Sequence, residues 1–396
     1  MSLYWLDFAT MLLRWLHVIA AIAWIGESIH FVMLDNSLRS PRHENDRKKG
    51  VFGEMWAVHG GGFYHHQKYT TSPPQLPEKL HWSFWKSYTT WLSGFALLVI
   101  LYMVNPGFYL INPDSPWQWA ATMSGWQANS LAVLFLLAGW VIYNELCRRL
   151  SPDGQRDGVL SLAVAVLVVA TAYLSVQIFS GRAAFLITGS VMATIMSANV
   201  LFWIIPGQRR MVAALRAGEA PNPADGKRGK QRSVHNTYFT LPVVFLMLSN
   251  HYSFVYGHSQ AALIMVLFIF AGALIRQFFV VMHTGKIQPA YLVVGTVLIG
   301  AAFWISAPRP AASSGETAPS LEQVQTIIAE RCLSCHAREP THPGFLAPPA
   351  GMAYDTLTQI QQQRRDIQRV VANGYMPLAN LTQMSDEERA VIAAWR

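Results

Sequence analysis

Eight stretches of the chain are long and nearly free of charge, at roughly 8–33, 87–105, 126–147, 158–181, 183–206, 237–251, 259–282 and 289–307. A bilayer core is crossed by ~20 mostly apolar residues in helical form. The runs are too long for strands and do not alternate residue by residue. In lipid every backbone N–H and C=O must be paired inside the protein, which leaves helices or closed barrels. The pattern therefore predicts an all-α fold, a polytopic eight-helix transmembrane bundle over residues 1–307. The sixth run is the weakest, being short and carrying Pro242, although Phe239 to Leu248 is almost wholly apolar. The first run holds Arg14, His17, Glu27 and His30 and shows no small-residue cleavage site, so it is expected to be a retained helix rather than a signal peptide.

Lysine and arginine alternate between loops. Segments 34–84, 148–157 and 207–236 are rich in them and the seventh loop has Lys286, whereas 106–125 and 252–258 have none and the fourth loop has only Arg182. By the positive-inside rule the basic loops are cytoplasmic, and both termini of an eight-helix chain then lie outside. Composition agrees with a membrane protein. Apolar residues make up 52% and charged residues 13%, about half the usual charged share. That excludes a disordered chain and leaves too little charge to cover a soluble globule. The net charge of +8 is a topology signal and implies the lipid bilayer, with no nucleic acid, as partner.

After Ala307 the texture changes. Residues 308–319 are rich in Pro, Ala and Ser and predict a linker. Residues 320–396 predict a small helical unit, weakly acidic and without lysine. Its first helix, Leu321 to Arg331, runs into Cys332-Leu333-Ser334-Cys335-His336. This is the C-x-x-C-H pattern of covalent haem attachment. Two thiols one helical turn apart reach the two vinyl groups of one porphyrin, and the adjacent histidine falls under the iron. A zinc site lacks a second Cys/His pair, and a redox dithiol lacks its βαβ setting. The sixth ligand is expected from Met376 in Gly374-Tyr375-Met376-Pro377, with Met384 and Met352 as weaker alternatives. Ser385 to Glu388 predicts a capping box for a last helix with Val391, Ile392 and Trp395 on its apolar face. Residues 320–396 resemble a class I cytochrome c, which implies haem c. Cys147 is expected to be a buried helix-end thiol.

Ionisable groups in a bilayer are costly and mark function. On the first helix His17, Trp24 and Glu27 fall within about one 100° sector. His17 lies near the outer surface, with His251 and His258, and His30 near the inner one, with His81, His283 and Arg276. A haem b between helices would need such histidines, and Leu16-His17 to Trp24-Ile25-Gly26 resembles the first helix of some haem b membrane oxidases. In the first inner loop, Trp56-Ala57-Val58-His59-Gly60-Gly61-Gly62-Phe63-Tyr64-His65-His66-Gln67-Lys68-Tyr69 sets histidines, aromatics and a lysine around a triglycine that could approach a ligand closely. The plain alternative is an interfacial aromatic segment. A nucleotide loop is excluded by the missing Gly-Lys-Ser/Thr end.

His59-Gly-Gly-Gly-Phe-Tyr-His65, His81-Trp-Ser-Phe-Trp and Tyr88-Thr-Thr-Trp-Leu-Ser-Gly-Phe-Ala, with the helix plan and the tail, resemble the bacterial membrane-bound urate oxidases, or urate hydroxylases. The resemblance implies conversion of urate to 5-hydroxyisourate in purine breakdown without peroxide. Electrons would leave through the haem c to a downstream respiratory cytochrome or cytochrome oxidase in the inner membrane. Removing two electrons through a one-electron carrier needs a urate radical or a second redox centre, such as a haem b carrying electrons outward. Urate is a planar monoanion. The inner surface offers His59, Tyr64, His65 and Lys68, with Glu27 as proton acceptor, and the outer surface offers Arg14, His17, Arg182 and His251. The inner set is the expected site, because purine breakdown is mainly cytoplasmic. The rival classes are a conduit from quinol to cytochrome and a transporter with a redox-sensing tail; no internal repeat favours the latter.

Overall fold

The computed structural model describes residues 2–69, 73, 75–154, 157–307, 319–342, 345, 347–372 and 374–395. A helix occupies each of the eight predicted runs: α1 (Ser2–Ser37), α2 (Trp85–Leu98), α3 (Gly125–Leu150), α4 (Asp157–Ile178), α5 (Gly181–Asn199), α6 (Pro223–Leu248), α7 (Ala261–Met282) and α8 (Pro289–Ser306). The starts are written locally. Ser124 and Gln127 form a capping box before α3, Asn222 accepts from Ala224 N ahead of Pro223 in α6, and Pro289 opens α8. α2 and α5 each run on into a five-residue π-helical stretch, Val99–Met103 and Val200–Ile204.

Six of these helices, rather than eight, are long and apolar enough to cross a membrane, namely α1, α3, α4, α5 with its extension to Arg216, α7 and α8. α2 and α6 fall short. α6 begins with Asp225, Lys227, Arg228 and Lys230, and its buried face is Gln231, Arg232, His235, Asn236, Thr237 and Thr240. The bundle is apolar on its outside and encloses polar side chains within an otherwise apolar core. Trp15, Ile22, Leu162, Val166, Phe303 and Trp304 are exposed, while Ser87, Thr188, Asn199, His235 and Arg276 are buried. Water would penalise that exterior and hydrocarbon would not. Six apolar helices with such a surface are compatible with a multi-pass membrane protein. α5 is the central helix. Of its apolar window 72% is buried, against 6% for α1 and 11% for α8.

The loops sort to two ends. At one, Arg216 donates to Glu78 O, Arg228 to Pro152 O and Ser37 to His283 O, so the lysine- and arginine-rich loops meet. At the other, Ser180 N donates to Leu110 O and Ser115 Oγ to Gln177 O, joining the loops without lysine.

The all-α expectation needs one correction. The first basic loop carries an antiparallel hairpin, β1 (Val51–His59) and β2 (Gly62–Tyr69). Gly60 and Gly61 have φ of +58° and +80°, the left-handed pair that a two-residue hairpin turn requires. The triglycine is thus a turn between two strands rich in aromatic and β-branched residues, and the helix-length runs on either side hid it.

The tail has its own core of Val324, Ile327, Ile328, Tyr354, Ile360, Ile367, Val371, Ile392 and Trp395. Its helices are α9 (Leu321–Arg331), α10 (Leu357–Gln362), α11 (Arg364–Ala372) and α12 (Asp386–Ala394), with one helical turn at Leu333–His336. The predicted α9 bounds and the Ser385–Glu388 capping box are present. Most of the expected linker, 308–318, lies outside the described residues. The tail meets the bundle at the end without the basic loops, where Phe108 packs on His342 and Phe345.

Candidate functional site

The five inner-loop candidates do not converge. His59 and Tyr64 share one face of the hairpin and His65 takes the other, as the pairing of Trp56 with His65 and of Ala57 with Tyr64 requires. His65 Nε2 donates to Glu54 at 2.8 Å and its ring stacks on Trp56 at 4.1 Å. Lys68 bonds Asp35 at 2.6 Å. Glu27, on α1, pairs with Lys86 at 2.7 Å and accepts from Ser83. His30 has His66 as a ring neighbour at 6.4 Å. None of these residues lines the cavities described below. What the cluster does is pin a two-stranded hairpin that would be marginal alone.

Buried Glu54 is the pin. It accepts from Arg42 N at 2.9 Å as well as from His65. The Arg42 N–H first, and then His65, hold its carboxyl below the usual range against the opposing effect of desolvation. A depressed folded value gives stabilisation that is present above the ordinary carboxylate pKa and is lost as pH falls through the folded one. Amide exchange in residues 51–59, corrected for the intrinsic rate, is therefore expected to accelerate below about pH 4. Glu54→Gln should exchange at the fast rate throughout, and a pH-independent wild type would refute the assignment.

At the opposite end, α1, α2, α5 and the segment after α6 enclose a cavity of about 400 Å³, a size typical of small-ligand sites. Gly94 makes the room, since a Cβ there would lie 2.8 Å from His17 Cε1. His17 Nδ1 lies 3.0 Å from the Thr90 carbonyl. A carbonyl only accepts, so Nδ1 carries a proton, and in the neutral form of the ring Nε2 has the lone pair. Arg14, Arg182 and His251 also line the space. Asn250 Oδ1 accepts from Tyr102 Oη at 3.0 Å and from Arg182. Tyr102 is carried by the first π-helical stretch, an irregularity frequent at functional sites. The remaining wall is apolar and flat-sided, with Trp24, Trp91, Phe95 and Leu186. Such a chamber suits a planar anion, with arginines and aromatic rings in its lining and the His17 imidazole placed to exchange a proton.

In the tail, His336 is buried and stacked on Tyr354 at 4.7 Å. Its Nδ1 donates to Met352 O at 2.8 Å, which leaves Nε2 as the ligand atom. Burial lowers its pKa. Cys332 and Cys335 are free thiols one turn apart, and burial first, then Cys335, pushes the Cys332 thiol up to about 12. These three residues fit covalent haem. Met376 sits in a loop whose backbone is held by Met376 N to Val370 O and by Arg389 Nη1 to Met376 O at 2.8 Å. Met384 is buried in the tail core, and Met352 serves His336 through its carbonyl. Among the described residues no three His, Cys, Asp or Glu side chains gather as a metal site.

The family model for the urate oxidase N-terminal domain matches residues 3–307. The chain belongs to that family. The match covers the bundle, with every residue of the tail-end cavity, and makes the protein a urate-related oxidase. No curated protein and no solved structure matches it.

For a urate oxidase the outer set is the one the structure assembles: Arg14, His17, Arg182 and His251 share one chamber. His17 and His30 do not share it. They are 13 residues apart on one helix, or ~20 Å along its axis. Sequence inspection missed Tyr102 and Asn250, and it quoted Trp91 and Gly94 only within the string from Tyr88 to Ala96, without a site role. Two weak signals were available, namely Arg182 as the one base in its loop and Asn250-His251 closing an apolar run.

Proposed function

We propose that the chain is a membrane-bound urate oxidase that hydroxylates urate to 5-hydroxyisourate. Its electrons pass through a haem c on the tail to a respiratory cytochrome or cytochrome oxidase, without peroxide. The observation that carries this reading is the tail-end cavity, which combines two arginines, the His17 imidazole and aromatic walls next to the tail. Arg14 and Arg182 hold the urate anion. Trp91 and Phe95 fix the plane of the ring, and the apolar lining excludes bulk water. His17 Nε2 takes a proton from the single water that supplies the new oxygen, while Thr90 O and Ser93 Oγ steady the ring through Nδ1. The hydroxylation releases two electrons and two protons. A haem c would be held by Cys332, Cys335, His336 and Met376 and would supply one-electron acceptor chemistry.

α2 and α6 cross the membrane with the other six, since their polar residues face neighbouring helices rather than lipid. The basic loops then lie in the bacterial cytoplasm, and the tail lies in the periplasm. The second reading of the same cavity is a haem b, since His17 and His251 both line it. A pyridine haemochrome assay decides between the two occupants. Haem c alone leaves the cavity to urate, and an added haem b takes it.

Anaerobic urate titration of the purified protein tests the function. Haem c absorption is expected to become reduced as urate absorbance falls. Reduction by quinol and not by urate would make the chain a conduit instead.

A further inference from the structure

Between the bundle and the tail lies a second space of about 830 Å³, lined by the loops at 106–116 and 254–261 and by tail residues 371–389. Tyr109 and Arg182 line both this space and the cavity beside His17, so the two are neighbours across one side-chain layer. Four rings cross the layer in sequence. Tyr102 faces the cavity; Tyr109 is 5.6 Å from it, Phe108 4.6 Å from Tyr109, and His342 5.3 Å from Phe108. Each gap is the ordinary distance of packed aromatic rings. His342 N donates to Ser334 O at 2.9 Å, inside the Cys332–His336 turn. The run therefore starts in the chamber and ends on the haem-attachment segment.

Phe108 shows that the seat is close-fitting. It lies on a four-residue turn, Pro106–Tyr109, in a loop between helices, yet it is only 5% exposed, and His342 and Phe345 pack against it. A Cβ on Gly374 would sit 3.7 Å from Gly257 O, so the two backbones approach closely beside it.

We propose that Tyr102, Tyr109, Phe108 and His342 form the electron exit of the cavity, with Phe108 as the positioning residue that seats the tail. The proposal rests on the urate reading. Urate is oxidised by two electrons, which leave singly. A haem c held by Cys332, Cys335 and His336 would accept each of them in turn and would be reoxidised by a downstream cytochrome. The two protons leave by His17 and water. Tunnelling falls steeply with the width of empty gaps, and packed π-systems keep those gaps short.

Two measurements on the full chain in membranes test it. First, a protease site is placed within 308–318, the linker is cut, and the membranes are sedimented. The wild-type tail is expected to sediment with the bundle, Phe108→Ala to release it, and Phe108→Trp to keep it. A wild-type tail that washes off, or a Phe108→Ala tail that stays, overturns the seat. Second, haem c reduction is followed by stopped flow with saturating urate and, separately, with ascorbate. Tyr109→Leu should keep the tail seated and the ascorbate rate unchanged, and slow the urate-driven rate about tenfold or more, as loss of a positioned bridge implies. Tyr109→Phe should restore it. A seated Tyr109→Leu protein that urate reduces at the wild-type rate overturns the route alone. A wild type that urate does not reduce overturns the urate reading and the route together, while sedimentation still judges the seat.

Discussion

Membranes carrying Gly94→Val are expected to lose urate turnover by about 100-fold or more, the scale on which a small misplacement of a positioned group acts. A Cβ at this position would stand 2.8 Å from His17 Cε1 and 3.2 Å from Nδ1. The imidazole has to swing away, which breaks its bond to Thr90 O and pushes it into the space where urate is proposed to lie. His17→Ala should lose as much for the opposite reason, having room but no proton acceptor. His59→Ala and His65→Ala should keep turnover, because these residues belong to the hairpin. Urate absorbance decay in membranes of matched protein content reads all four. Full activity in Gly94→Val, or loss in both hairpin variants, would return the site to the basic end.

The second large effect is at the tail. Cys332→Ser together with Cys335→Ser is expected to remove the covalent haem stain on a denaturing gel and all urate turnover, since no other pair of free thiols is spaced to hold a porphyrin among the described residues. Met376→Ala should keep the stain and lower the midpoint potential, because a thioether ligand raises it. Turnover persisting without covalent haem would place the electron outlet elsewhere.

Most of the bundle is legible in the sequence because lipid imposes one rule on every position of a spanning helix. The run at 126–147 became Gly125–Leu150, and that at 289–307 became Pro289–Ser306. The same rule started α6 late, at 237 rather than 223, because Arg232, His235 and Asn236 are polar and face other helices. The hairpin escaped notice because its glycines were weighed as ligand contacts, whereas their φ values make them a turn. In the tail, Cys332, Cys335 and His336 lie on one short stretch, so their proximity is legible from local spacing. The cavity is different. His17, Gly94, Arg182 and His251 come from four separate segments, and no local pattern records that folding joins them. The inner set was legible because His59 to Lys68 are adjacent in the chain, around a triglycine.

The tail is seated at the same end of the bundle where the cavity lies. If urate is oxidised there, neither the substrate's electrons nor the protons released with them traverse the hydrocarbon. The reaction itself is then electroneutral: it would feed the respiratory chain without charging the membrane, and a voltage across sealed vesicles would leave its rate unchanged.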